Sequence, residues 1–201
     1  ILLKQFSTAS LKGFGVEHLT EAIIAAGAAL QYLSQTHHEK VAHITTISRI
    51  EEEKYVWIDQ FTARNLELLH SPHSGATTLI DVLDKTHSPM GGRLLKRWVM
   101  LPLKEKATID ERLETVSYFL EKQEDAEQLL QKIDEIGDLE RRVSTIAAAR
   151  ISPREVVQLK RSLDAISPIK TMCQAAKNKA LKKIGEQLNA CDTLSQRIET
   201  E

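Results

Sequence analysis

The chain has 201 residues, 42% hydrophobic and 27% charged, with 27 Lys and Arg set against 28 Asp and Glu for a formal net charge of -1. That balance suits one or two ordinary globular domains and argues against a segment that wraps nucleic acid by bulk positive charge. Four Phe, two Trp and three Tyr are too few for a base-stacking platform, two cysteines cannot build a disulfide framework, and no apolar run approaches the roughly 18 residues of a membrane span.

In chain order, the opening ILLKQF has neither an initiator Met nor signal-peptide layout, so the sequence reads as a piece of something longer. Val16, Leu19, Ile23, Ala26, Leu30 and Leu33 follow helical steps and predict one amphipathic helix stopping around Thr36–His38. Its AAGAA at 25–29 would admit a close neighbour. HITTISRI (43–50) and YVWID (55–59) are β-branched and aromatic, and flank the charged EEEK (51–54), which predicts a short β-hairpin near 43–59. QFTARNLELL (60–69) returns to helical spacing through Phe61, Leu66 and Leu69, and SPHSG (71–75) reads as a loop. Helix starts follow at Thr78 with Asp81, Ser88-Pro89, Thr108 with Glu111, and Ser152-Pro153-Arg154-Glu155, the sharpest of them. Ser167-Pro168 is either a new start or a kink. From Ser152 the apolar series runs in steps of 3 and 4 through Leu159, Leu163, Ile169, Cys173, Ile184 and Ile198. Unbroken, that is a helix of about 75 Å. The expected fold is mainly α, a helical core with a short β-hairpin near 43–59 and a long projecting C-terminal helix.

Catalytic signatures are missing. The eight glycines never form GxxxxGK[ST], and Gly13-Phe14-Gly15 is a lone turn-like GxG. His70 and His73 have HxxH spacing on a loop without a third ligand nearby, so exposed loop histidines are the plainer reading. Cys173 and Cys191 sit in the apolar series and read as small buried hydrophobes. Nine basic residues against two acidic ones between Arg150 and Lys183 could touch phosphate, with Lys177, Lys179, Lys182 and Lys183 the best local candidates. A solvated helix face is the plainer reading, since the basic residues form no single stripe. Arg64, Asn65 and Glu67 lie among apolar neighbours and are expected to tie helix ends to loops by hydrogen bonds. Asp138, Glu140, Arg141 and Arg142 form either a second such knot or surface charge.

The strings IDQFTARNLELL (58–69), GATTLIDVLDKTHSPMGGRLLKRWVMLPL (75–103), IDERLETV (109–116) and IGDLERRVSTIAAARISPREVVQLKRSL (136–163) resemble the core, or lever, region of the MutS family of DNA mismatch-repair proteins. FGVEHLTEAIIAAGAALQYL (14–33) is similar to the end of that family's connector domain. The resemblance implies that residues 1–40 are the C-terminal end of the connector. Residues 41–201 are then the N-terminal part of the core (lever) domain, ending before the clamp. It implies a parent that binds mispaired DNA, initiates repair and hydrolyses ATP with Mg in a domain outside these residues, which themselves carry no catalytic, cofactor or metal site. Other MutS domains in cis, a homodimer, mispaired duplex DNA and MutL are the implied partners, without a membrane, in the bacterial cytoplasm and at the nucleoid in action. Residues 75–166 would be a packed hub and 152–198 the lever linking clamp to ATPase. Arg64, Asn65 and Glu67, with Arg93, Lys96 and Arg97, would make hub-stabilising or interdomain contacts, ordinary surface charge remaining open for the last three. The rival readings are a MutS paralogue in recombination, a helical protein-binding scaffold, and an autonomous module with weak, salt-sensitive DNA binding.

Overall fold

A computed structural model describes residues 1–36, 41–50 and 52–200. The chain divides into two units, Ile1–Glu51 with Arg141–Ile151, and Glu52–Glu140 with Ser152–Glu201. The expected domain junction at 40 and 41 adjoins residues 37–40, which lie outside the described residues, and the predicted first helix ends at Gln35 with Thr36 as its C-cap, beside the expected stop.

The first unit holds α1 (Leu2–Gln5) and α2 (Thr20–Gln35), with a single 3-10 turn at Lys12–Phe14. Leu2, Leu11, Val16 and Leu30 are its buried core, and Leu19, Ile23, Ala26 and Leu33 pack against it. The stripe read from the sequence is therefore the buried face, while Ile24 and Tyr32 stand exposed on the other side. Phe6 and Phe14 meet at 5.1 Å between ring centroids. Within the small-residue stretch Ala26 meets this core, whereas, among the described residues, nothing outside α2 comes within 4 Å of a Cβ built on Gly27.

The predicted β-hairpin is corrected by the structure: the described residues contain no strand pair in 43–59. Ile44 and Ile47 pack on the core of the first unit, and the Gln5 side-chain amide donates to the carbonyls of Val41 (2.7 Å) and Ile44 (2.9 Å). Ile44 and Ile47 are thus partly buried by that core instead of by a paired strand, while Ile50 stays exposed. In the second run a single antiparallel bridge joins Tyr55 to Leu103, flanked by Val56 N–H to the Pro102 carbonyl (2.7 Å) and Lys104 N–H to the Lys54 carbonyl (3.0 Å). The intended turn falls on a 3-10 turn, Glu52–Lys54, and on Glu51, outside the described residues.

The second unit is helical. In order come α3 (Gln60–Asn65), α4 (Leu79–Leu83), α5 (Pro89–Met100), α6 (Lys106–Glu121), α7 (Gln123–Asp134), α8 (Leu139–Ala147, shared with the residues of the first unit), α9 (Pro153–Asp164), α10 (Ile166–Ala175), α11 (Lys179–Gln187) and α12 (Asp192–Thr200). Three of the predicted starts form as read. Thr78 and Asp81 close a capping box on α4, Ser152 and Glu155 close another on α9, and the Ser88 hydroxyl accepts the Gly91 N–H (3.1 Å) ahead of Pro89. Thr108 differs: α6 begins earlier, at Lys106, so Thr108 lies inside the first turn and donates back to Glu105 (2.8 Å). The helix read over 60–69 also stops early, leaving Phe61 and Leu66 exposed and Leu68 buried.

The long projecting helix is the second correction. Residues 152–200 form four helices that fold back on one another. α10 lies against α7, α9 and α11, α11 against α6, and α12 against α9. Pro168 falls in the first turn of α10, where its missing N–H costs nothing, so Ser167-Pro168 belongs to a new start. Ala176 turns the backbone extended, and the buried Asn178 caps α11 by accepting the Leu181 N–H (3.0 Å). Leu188 is extended, and Cys191 takes a positive φ with its N–H on the Asn189 side chain (2.9 Å). Leu159, Leu163, Ile166 and Ala190 make one buried cluster, joined by Leu188, Cys191 and Ile198. Leu181 of α11 is buried outside that cluster, so each successive short helix still buries an apolar side, which preserves the 3 and 4 spacing across every break. Among the described residues no helix is long and apolar enough to cross a membrane.

Candidate functional site

The densest polar cluster grows from the start of α5. Asp84 accepts from the Thr86 N–H (3.1 Å) and hydroxyl (2.6 Å), which turns the chain into the Ser88 cap. The same two bonds, with Lys96 and Lys85 beyond them, hold the Asp84 carboxyl below the usual carboxylate range. Gly92 sits over this turn, where a Cβ would lie 3.3 Å from the Asp84 carboxylate. One residue on, Arg93 projects across to the turn that precedes α8. Its Nη1 and Nη2 donate to the two oxygens of Asp138 (2.8 and 2.7 Å), and its Nε and Nη2 donate to Glu140 Oε2 (3.0 and 2.6 Å).

Two carboxylates therefore occupy both edges of one guanidinium, the geometry in which Arg is strongest and most directional. Asp138 and then Glu140 hold the Arg93 guanidinium in its charged form well past its ordinary range. Asp138 is the shielded member, 19% exposed against 48% for Arg93 and 68% for Glu140. Beside it His87 Nδ1 meets Asp134 at 2.8 Å, and the buried Ser162 hydroxyl accepts the Gly137 N–H (3.2 Å) while donating to the Gln158 carbonyl (3.0 Å). The N-terminal ends of α5 and α8 and the last turn of α9 are thus tied through the 134–140 turn. Here the second charged knot of the sequence is a partner of Arg93 rather than a separate feature.

Glu67 lies on a second tie. Its side chain accepts the Ser71 hydroxyl (2.8 Å), and the carbonyls of Glu67 and Leu68 accept the N–H groups of Leu79 (3.1 Å) and Ile80 (3.0 Å). This lashes the end of α3 to the start of α4. Arg64 and Asn65 are exposed on α3 and, among the described residues, make no side-chain hydrogen bond or ion pair. Lys96 and Arg97 are exposed on α5, with Lys96 close enough to favour the charged forms of Asp81 and Asp84.

Lys177, Lys179, Lys182 and Lys183 are all exposed. Lys177 and Lys179 flank the buried Asn178 cap and line an open groove with Asp110, Glu114 and Glu121 of α6, whose carboxylates oppose a phosphate there. Lys160, part of the same basic count, is already engaged by Asp164 (2.9 Å) and Glu199 (2.7 Å). Sequence reasoning passed over Arg112 stacked 3.6 Å from the centroid of Trp98, the Tyr118 hydroxyl donating to Asp125 (2.7 Å), and Ser195 donating to Asp164. No local signal marks the Arg112 stack, because α5 and α6 bring its partners together only in the fold. A carboxylate seven residues beyond a half-buried Tyr was the one visible hint for Tyr118.

No glycine run forms a phosphate loop, and among the described residues no group of three or more His, Cys, Asp or Glu is placed to hold a metal ion.

Residues 61–201 match the family model of MutS domain III, and residues 1–45 match that of MutS domain II. The DNA mismatch repair protein MutS of Bacteroides fragilis (strain YCH46) is 56% identical over 200 residues, covering 100% of this chain and 23% of that protein. The protein of the same name from Phocaeicola vulgatus is 55% identical over 200 residues with the same coverage. That of Flavobacterium psychrophilum is 54% identical over 199 residues, 99% of this chain and 23% of its own length. The chain spans about a quarter of the length of these curated relatives. On a domain III match that covers well over half its residues, the chain belongs to the MutS family, of which it carries domain II and domain III sequence.

Proposed function

We propose that these residues are the connector–core segment of a mismatch-repair protein. In that protein they link the part that grips mispaired duplex DNA to an ATP-hydrolysing part, and catalyse nothing themselves. The observation that carries this reading is the run of domain II and domain III sequence along one chain. ATP with magnesium, a second copy of the protein, MutL and a cytoplasmic setting belong to the complete protein on this reading, and no step is routed through residues 1–201. What these residues supply is stiffness. Coupling between distant sites needs packed elements with discrete arrangements, and the Arg93–Asp138–Glu140 cluster is suited to hold one of them.

The test uses the complete protein with Arg93→Ala, Asp138→Ala and the double variant. The expected outcome is near-normal binding to mispaired DNA, impaired ATP-driven release in each single variant, and a double variant no worse than the worse single one. Single variants with unchanged stability and unchanged release would overturn the coupling role.

A further inference from the structure

A cavity of about 170 Å³ lies inside the second unit, between α6, α7, α10 and α11. Its floor is Cys173, Ala176 and Leu181, each 5% exposed, so it reaches into the core rather than denting the surface. The space exists because α10 presents small side chains to it, Cys173, Ala175 and Ala176, where a core ordinarily fills such a volume. Nor can the helices collapse to close it. α10 and α11 already touch at backbone distance, where a Cβ on Gly185 would lie 2.9 Å from the Gln174 nitrogen, and the Asn178 cap fixes the turn between them. A void held open in this way takes a guest: an apolar cavity of about 150 Å³ holds one benzene ring. The lining selects the guest further. Phe119 and the sulfur-bearing Met172 and Cys173 favour an aromatic ring. The Cys173 thiol, buried among them, makes no hydrogen bond. On the wall the Tyr118 hydroxyl donates to Asp125 Oδ2 (2.7 Å), while Asp125 Oδ1 has no protein partner among the described residues. Asp125 thus keeps an acceptor to spare beside an apolar cavity, and its charge repels an anion.

We propose that this cavity is a binding site for a small aromatic molecule, a single ring carrying one hydroxyl or amino donor and no negative charge. The ring fills the space beside Phe119, Met172 and Cys173, and its donor bonds Asp125 Oδ1. The flexible Met172 adapts to the ring, and the aromatic contact with sulfur adds to the burial. The site is separate from the coupling role above, because Arg93, Asp138 and Glu140 take no part in its lining.

The experiment uses the complete protein with three probes, 4-fluorophenol, 4-fluorotoluene and 4-fluorobenzoate, and follows binding by fluorine NMR. The site is located by the rate at which methyl methanethiosulfonate labels Cys173, read by peptide mass spectrometry with Cys191 as internal reference. 4-Fluorophenol is expected to bind saturably. At about ten times its Kd it slows labelling of Cys173 about tenfold and leaves Cys191 unchanged. 4-Fluorobenzoate does neither. Asp125→Ala is expected to weaken 4-fluorophenol about tenfold and to leave 4-fluorotoluene within about twofold, since only the phenol loses a bond to a charged acceptor. Ala175→Trp, at the exposed rim where folding is least at risk, places an indole in the mouth and is expected to abolish binding of both; it decides the matter should Asp125→Ala fail to fold by circular dichroism. No saturable binding, the result if another part of the polypeptide fills the cavity, would overturn the proposal. So would equal protection of both cysteines, binding of the benzoate, equal loss of phenol and toluene in Asp125→Ala, or binding that survives Ala175→Trp.

Discussion

Among the described residues, four other than glycine hold a positive φ: Ser7 (48°), Glu67 (48°), Ala149 (52°) and Cys191 (54°). The first three occupy the same structural position. At the ends of α1, α3 and α8, the N–H groups of Ser7, Glu67 and Ala149 bond the carbonyls of Lys4, Arg64 and Ile146. The next N–H groups, of Thr8, Leu68 and Arg150, bond those of Leu3, Ala63 and Thr145. That pair of bonds is the Schellman ending, whose left-handed residue is most often glycine because any Cβ there crowds the following carbonyl. Glu67 offsets part of the cost through the bond from Ser71, whereas the methyl group of Ala149 has nothing to offer. Ala149→Gly is therefore expected to stabilise the chain by about 1 kcal/mol, raising Tm by roughly 2–4 °C, while Glu67→Gly gains less. Thermal unfolding of the two variants checks this, and a lower Tm for Ala149→Gly would refute it. The same three positions explain why helix ends were poorly legible. The textual mark of this ending is Gly, and Ser, Glu and Ala stand in its place, so 60–69 reads as one helix although it ends at Asn65.

At the scale of the element, the C-terminal quarter depends on how closely α10 and α11 approach. A Cβ on Gly185 would lie 2.9 Å from the Gln174 backbone nitrogen and 3.0 Å from Cys173 Cβ, closer than side chains come without movement. In a free helix Gly→Ala is favourable by about 1 kcal/mol. At 185 the clash involves backbone, so overpacking of about 1–3 kcal/mol outweighs that gain and Gly185→Ala is expected to destabilise by about 1 kcal/mol. Gly27→Ala is its control, since nothing outside α2 among the described residues lies within 4 Å and the helical gain is free to appear. Urea denaturation of the pair is expected to give opposite signs, and two stabilising outcomes would sink the close-approach argument. Helix starts were readable here because capping chemistry is local, as at Ser152 with Glu155. The breaks at Ala176 and Leu188 were not, because apolar residues are buried on both sides of each, Ile169 and Cys173 before the first, Leu181 between them and Ala190 after the second, and the period keeps running. The hairpin failed for a related reason: β-branched runs report burial, and Ile44 and Ile47 found theirs beside α1 and α2 rather than in a sheet.

For the molecule as a whole, a net charge of -1 says little, because what matters is which charges are tied. Arg93, Asp138 and Glu140 each stood out in the sequence, yet 45 and 47 residues separate the partners, and only the fold joins them. Carboxylates illustrate the consequence for stability. The Thr62 side chain and N–H depress Asp59, the Thr78 N–H and hydroxyl depress Asp81, Thr86 depresses Asp84, and Ser195 followed by Lys160 depresses Asp164. Each has a folded-state pKa below its unfolded value of about 4, so the folded form binds the proton less readily than the unfolded chain. The stability they contribute is complete above about pH 5 and is lost as pH falls through the depressed folded values. Lys160, raised by Glu199 and Asp164, has the opposite sign: its contribution is complete below its usual range and is lost only at strongly alkaline pH. Tm is accordingly expected to stay level from pH 7 to 5 and to fall steeply below about pH 4, with Asp164→Asn lowering the plateau and flattening the fall. Protonation also leaves 27 Lys and Arg unbalanced, and their mutual repulsion pushes in the same direction. Salt separates the two causes, because screening relieves repulsion and leaves short charge-assisted hydrogen bonds largely intact. A fall in Tm that persists in about 0.5 M salt and shrinks in Asp164→Asn assigns acid lability to the tied carboxylates, whereas a fall abolished by salt assigns it to net charge and refutes this account.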